Sequence, residues 1–164
     1  MQTKETGKLR VAAEGDREIV MTREFNAPKK MLFDAWTKPE LLKRWLAGPE
    51  GWTMTVCEID LQVGGSYRYE WKHKNGQQMG MGGVYREVIP NERIVATEKF
   101  DESWYPGGAV VTTTLSERGG RTTVETKVTY DSKEARDGVL RSPMDTGVAA
   151  SYDRLEKLVE TNFA

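Results

Sequence analysis

Between Asn26 and Trp52 the chain carries two helix starts, three tryptophans and a Gly-Pro turn, and six strand-like segments and one long amphipathic helix follow. That order leaves few ways to bury everything. A strand, two short helices, an antiparallel run and a final helix hide their apolar faces together when the sheet curls around the last helix, leaving a cavity between the two. The expected fold is α+β: a curved antiparallel sheet wrapped around a long C-terminal helix, with two short helices after the first long strand.

The residue pattern supplies each element. Lys8 to Ala13 alternate weakly before the turn signal Glu14-Gly15-Asp16, so residues 1–16 read as an N-terminal arm or edge strand, and a single domain is expected over 17–162. Arg17 to Phe25 reads as a strand. Asn26-Ala27-Pro28 opens a helix, because proline is tolerated in a first turn and Met31, Leu32, Ala35 and Trp36 share a face. Thr37-Lys38-Pro39-Glu40 has capping-box spacing, which predicts a second helix through Leu41, Leu42 and Trp45, bent sharply from the first.

From Trp52 the period becomes two. Trp52 to Ile59 is a strand, Gly64-Gly65 bends the chain, and Tyr67, Tyr69 and Trp71 alternate with polar residues. Asn75-Gly76 predicts a hairpin in which both residues take positive φ, leading into Met79 to Ile89. Arg93 to Phe100, Ala109 to Ser116 and Thr122 to Tyr130 complete the meander, with tight connections at Pro90-Asn91 and Gly119-Gly120. Ser132 to Leu140 is helical. Ser142-Pro143-Met144-Asp145 then predicts a new helix with a serine N-cap, its apolar stripe formed by Met144, Val148, Ser151, Tyr152, Leu155, Leu158 and Val159.

Charge narrows the partners. Lys plus Arg number 24 against 25 Asp plus Glu, so no basic field draws nucleic acid to the chain. No apolar run approaches the roughly 20 residues that span a bilayer, and the polar start lacks a signal-like core, so no membrane insertion and a cytoplasmic location are expected. The lone Cys57 excludes an internal disulfide, and with His73 as the only histidine no metal or cofactor is expected.

Conventional catalytic signals are weak. His73 lies beside a turn and reads as a solvated histidine, and Cys57 as a buried structural thiol. Gly80-Met81-Gly82-Gly83 is followed by a strand, not the helix N-terminus that a phosphate cradle needs, so these glycines are expected to bend the strand or leave room for a ligand. The aromatic residues say more. Strand parity points Tyr67, Tyr69 and Trp71 inward beside Met79, Met81 and Tyr85, facing Met144, Val148 and Tyr152. Each alone is accounted for by core packing; together, flexible methionines and hydroxyl-tipped tyrosines suit an adaptable cavity.

Glu98 shares parity with Ile94, Ala96 and Phe100, which aims an acid into apolar surroundings where burial raises its pKa. It is read either as an anchor for a ligand hydroxyl or general base, or as a wet or arginine-paired acid at the sheet's end. Glu87 carries the same ambiguity, with a bulge expected at Gly82-Gly83. Trp104 and Tyr105, in the long connection over residues 101–108, are expected to fold back over one mouth of the cavity, helped by Trp52 or the short helices, with Pro106-Gly107 as a hinge. The alternative is an aromatic plug that seals the core.

Phe33-Asp34-Ala35-Trp36-Thr37, Pro39-Glu40-Leu41, Arg44-Trp45, Gly48-Pro49-Glu50-Gly51-Trp52, Val63-Gly64-Gly65, Gly83-Val84-Tyr85-Arg86-Glu87-Val88 and Pro90-Asn91-Glu92-Arg93-Ile94 occur in consistent order. In this the chain, over roughly residues 17 to 160, resembles the bacterial SRPBCC family related to the C-terminal domain of the activator of the heat-shock-protein-90 ATPase, within the helix-grip, START-like superfamily. Relatives often carry a second aromatic after Trp45, where this chain has Leu46-Ala47. The resemblance implies the helix-grip fold but leaves the activity open, since that fold hosts carriers, receptors, cyclases and a co-chaperone domain. Three functions follow as expectations. The first is a monomer or homodimer holding a small apolar or amphipathic ligand, with Trp45 and Trp52 joining the inward aromatics, methionines and Glu98. The second is a co-chaperone-like protein whose partner is a chaperone. The third is a cyclase- or hydrolase-like enzyme using Glu98 or Tyr69 as acid or base.

Overall fold

The computed structural model describes residues 3–48 and 50–164, so the expected Gly48-Pro49 turn falls partly outside the described residues. In chain order the elements are β1 (Thr3–Thr6), β2 (Leu9–Glu14), β3 (Glu18–Phe25), α1 (Lys29–Thr37), α2 (Pro39–Trp45), β4 (Trp52–Ile59), β5 (Ser66–His73), β6 (Gln78–Ile89), β7 (Arg93–Phe100), β8 (Ala109–Arg118), β9 (Arg121–Tyr130), α3 (Lys133–Arg141) and α4 (Met144–Glu160). The strands form one antiparallel sheet in the order β1-β2-β3-β9-β8-β7-β6-β5-β4. Helices α1 and α2 carry the chain from β3 to the far edge, and α4 lies along the inner face. This is the helix-grip arrangement expected from the sequence.

Alternation builds the core. Leu9 and Val11 of β2, Ile19, Met21 and Phe25 of β3, and Val124 and Val128 of β9 are all buried and meet Tyr152, Leu155 and Val159 of α4 in one cluster. The Phe25 ring meets Tyr152 edge-on at 5.8 Å. Fully burying a side chain of this size contributes about 1.5–3 kcal/mol, so the seam between α4 and the sheet gathers several such contributions in one place. Arg23 interrupts the pattern. Its side chain is inward and wholly buried, Nη1 donates to Asp153 Oδ1 on α4 at 2.8 Å, and the guanidinium sits 5.3 Å from the centre of the Phe25 ring. The planar guanidinium suits this place because it can stack on a ring and still reach a carboxylate at the protein surface.

Several local expectations change. Lys8 to Ala13 is not the edge: β2 pairs on both sides, and the edge is β1, whose polar Thr3–Thr6 stretch gives no alternation signal. The capping box at Thr37 does not form. Pro39 excludes the helical region for the residue before it, so Lys38 is extended at φ −99° and ψ 119°, both ending α1 and starting α2. Thr37 stays inside α1, donating from Oγ1 to the Phe33 carbonyl at 2.7 Å. At the second start Pro143 keeps Ser142 extended, and the serine retains part of its expected capping role. Ser142 is the last cap of α3 and Pro143 is the N-cap of α4, while Ser142 Oγ donates to the Val139 carbonyl at 2.6 Å and accepts from the Met144 N–H at 3.3 Å. Asp145 turns away to accept from Lys4 Nζ at 3.1 Å and Thr6 Oγ1 at 2.5 Å, fastening β1 to the first turn of α4.

At the β5–β6 hairpin only Gly76 has positive φ, at 95°, and the Gly76 N–H donates to the His73 carbonyl at 2.9 Å. The turn is therefore longer than a two-residue Asn-Gly hairpin. The expected bulge also moves: Gly82 pairs with Lys99 and Tyr85 with Ala96 in unbroken register, and the slip falls between Tyr85 and Glu87. Glu87 then reaches Arg93 at 3.1 Å on the surface. Nor do the glycines clear space for a ligand. A Cβ on Gly82 would sit 2.7 Å from the Tyr67 carbonyl, and one on Gly83 would collide with the Thr97 carbonyl, so they admit neighbouring strands.

Candidate ligand site

A cavity of about 360 Å³ lies between α4 and the inner face of the sheet. It persists because small residues line both sides: Ala96 of β7 and Thr113 of β8 on the sheet, Gly147 and Ser151 on the helix. Larger side chains at these four places would close a core. Around them stand Tyr67, Tyr69 and Trp71 from β5, Met79, Met81 and Tyr85 from β6, and Glu98 from β7. Met144, Val148 and Tyr152 come from α4, Trp45 from α2, and Trp104 from the β7–β8 connection.

Trp52 does not belong to this wall. It meets His73 edge-on at 5.2 Å and lines a groove outside, placing the pair at the rim of the sheet. His73 Nδ1 accepts the Asn75 N–H at 3.1 Å, a local turn contact. Trp71, Met79, Phe100, Trp104, Met144 and Gly147 line both the cavity and the groove, which makes them its mouth. The two aromatics of the connection part company there. Tyr105 is 5% exposed and packs edge-on against Tyr130 at 5.1 Å, whereas Trp104 is 47% exposed at the mouth.

The walls are held by specific bonds. Trp45 Nε1 donates to the Ala35 carbonyl at 2.9 Å, and Trp71 Nε1 donates to the Leu46 carbonyl at 2.8 Å, so both indoles present apolar faces inward with their donors satisfied. Tyr67 reaches over Gly83 and donates from Oη to the Thr97 carbonyl at 2.6 Å, and Val84 N–H donates to Thr97 Oγ1 at 2.9 Å. Side chains thus replace part of the β6–β7 ladder next to Glu98.

Glu98 is the one charged side chain among the described residues lining the cavity. Its Oε1 accepts from Tyr105 Oη at a long 3.4 Å. Burial pushes its carboxyl up from 4.5 to about 7, partly offset by the Tyr105 bond. Burial likewise raises Tyr69 well above its ordinary value, which keeps its hydroxyl a donor and unsuited to act as a base. Cys57 is buried, with its thiol pushed up to about 11, and is inert as a nucleophile. Among the described residues no group of three His, Cys, Asp or Glu could hold a metal ion.

Strand parity also leads to wall residues that the sequence reading passed over. Thr113 on β8 and Thr126 and Tyr130 on β9 point inward, but threonine-rich strands read as solvent-facing. Trp36 joins the wall beside Trp45, their rings 4.6 Å apart.

A sheet gripping a C-terminal helix around an apolar cavity defines a START-like, SRPBCC-type domain. Residues 26–160 match the family described as Activator of Hsp90 ATPase homolog 1-like protein, and the chain belongs to that family. A crystal structure of a protein from Rhodobacter sphaeroides is similar at 30% identity and TM-score 0.89, over 94% of this chain and 99% of that one. A protein from Chromobacterium violaceum is also 30% identical, with TM-score 0.74 over 87% of this chain and 97% of its own. An AHSA1-like protein from Aeromonas hydrophila, 20% identical with TM-score 0.68 over 87% and 93%, shares the fold. None of the curated proteins matches the chain. Among the described residues no helix is long and apolar enough to cross a membrane.

Proposed function

We propose that this protein holds a small apolar or amphipathic molecule between its sheet and α4. The observation behind this is the cavity itself: about 360 Å³ of space walled by tyrosines, methionines and tryptophans, in the place where a purely structural core would be filled. A ligand burying on the order of 250 Å² of apolar surface gains roughly 6 kcal/mol, much of it consumed by association, so weak binding of about 0.1–1 mM is the scale to expect. Native mass spectrometry of protein purified without detergent tests the reading. Retained adducts or uptake from a library of lipids and aromatic compounds supports it; a bare protein that takes up nothing refutes it.

The family match supports a second reading, a co-chaperone-like partner of a chaperone ATPase. Stimulation of the cognate chaperone's ATPase by the purified chain is the discriminating measurement. An acid–base enzyme built on Glu98 is the third, tested by loss of turnover in Glu98→Gln.

A further inference from the structure

The cavity carries one sign of charge. Among the described residues its wall includes Glu98 and no lysine, arginine or histidine, and no cation contributes to the environment of that carboxyl. Glu98 is also short of partners: a carboxylate accepts several hydrogen bonds, and here it has the single long one from Tyr105. Tyr67, Tyr105 and Tyr130 come close enough to feel its charge, and their rings offer the negative faces that attract cations. We propose that the cavity selects apolar molecules bearing a protonated amine, which seats against Glu98 among these rings, and that it discriminates against carboxylates. This rests on the ligand-holding reading and specifies the chemistry of the ligand.

The size of the preference follows from how uncomfortable the lone carboxylate is. An acid that titrates near 7 in place of 4.5 disfavours its anion by about 300-fold, and an ammonium in contact restores part of that. Stripping water from the ammonium opposes the gain, so a preference of roughly tenfold over an isosteric alcohol is expected at about pH 8. A ligand carboxylate meets the reverse. It brings a second anion beside the first, with no cation to separate them.

The test uses three probes with one body: naphthylethylamine, naphthylethanol and naphthylacetate, titrated calorimetrically into the full chain at about pH 8. The amine binding about tenfold tighter than the alcohol, with the acid weakest, supports the assignment; Glu98→Gln is then expected to erase the gap between amine and alcohol. Should that variant fail to fold, the wild-type protein at about pH 5.5 provides the same comparison, because the carboxyl is protonated there. Tyr67, Tyr105 and Tyr130, the titratable groups facing it from β5, the β7–β8 connection and β9, are all pushed upward and stay neutral throughout. An amine-to-alcohol ratio that does not shrink between the two pH values overturns the role of Glu98. Alcohol or acid binding as tightly as amine overturns the selectivity while leaving the cavity reading intact; no binding by any probe sinks both.

Discussion

Replacing Glu98 with glutamine is predicted to stabilise the protein in alkali and leave it unchanged in acid. The carboxyl titrates at about 7 in the folded protein against 4.5 when unfolded, a difference of 2.5, and each unit is worth about 1.36 kcal/mol. The folded state holds the proton more tightly. The contribution to stability is therefore complete below pH 4.5 and is lost as the pH rises through about 7, the interval in which the unfolded chain has released a proton that the folded chain still holds. The full shift corresponds to roughly 3 kcal/mol; because the carboxyl borders a cavity that water can enter, the expected loss is about 1–3 kcal/mol. For a domain of this size that moves the melting temperature by about 2–10 °C. Glutamine has nearly the same shape and never ionises. Wild-type and Glu98→Gln proteins should melt together near pH 4.5 and separate progressively by pH 8.5, with the variant higher. Parallel stability curves across that range, or a variant that melts lower at alkaline pH, would show that the carboxylate is well solvated or paired and would refute the argument.

Three further outcomes are expected. Gly147→Leu should raise stability by about 0.5–1 kcal/mol through helix propensity, since a Cβ there meets nothing within 4 Å, while slowing probe entry at the mouth in stopped-flow fluorescence. Trp104→Ala should cost under about 1 kcal/mol yet accelerate probe release, whereas Tyr105→Ala should cost about 3 kcal/mol or more in urea denaturation; equal losses would make both residues plugs. Gly83→Ala should destabilise by about 1–3 kcal/mol, because the added methyl collides with the Thr97 carbonyl; a neutral result in thermal melts would mean the strands yield there freely.

Element order and inward parity were legible because they follow from the period of the side chains alone. Tyr67, Tyr69 and Trp71 could be assigned to one face by counting, and the position of Glu98 among Ile94, Ala96 and Phe100 likewise. What parity cannot convey is which neighbours meet across the sheet. Trp52 alternates as well as Trp71 does, but it lies at the strand end beside His73 and outside the cavity. The Thr37 cap misled for a different reason: its chemistry is right, but Pro39 holds Lys38 extended and moves the start of α2 past it, whereas Ser142 does accept the Met144 N–H beside its own proline. Asp145 looked like a capping acid and became an anchor for β1, which only the tertiary fold reveals.

The substitution of side chains for backbone between β6 and β7 gives the sheet a seam whose strength is written in sequence. Ordinary ladders are indifferent to which residues they join, because every residue brings the same amide. Here the Val84 amide depends on the Thr97 hydroxyl, and the Thr97 carbonyl depends on the Tyr67 phenol. Two point changes, Thr97→Val and Tyr67→Phe, therefore remove both bonds without touching the backbone, and leave the strands joined there only through the pairs on either side, Gly82 with Lys99 and Tyr85 with Ala96. The local strength of the sheet at this seam is thereby set by two hydroxyl groups, where elsewhere it is set by backbone amides.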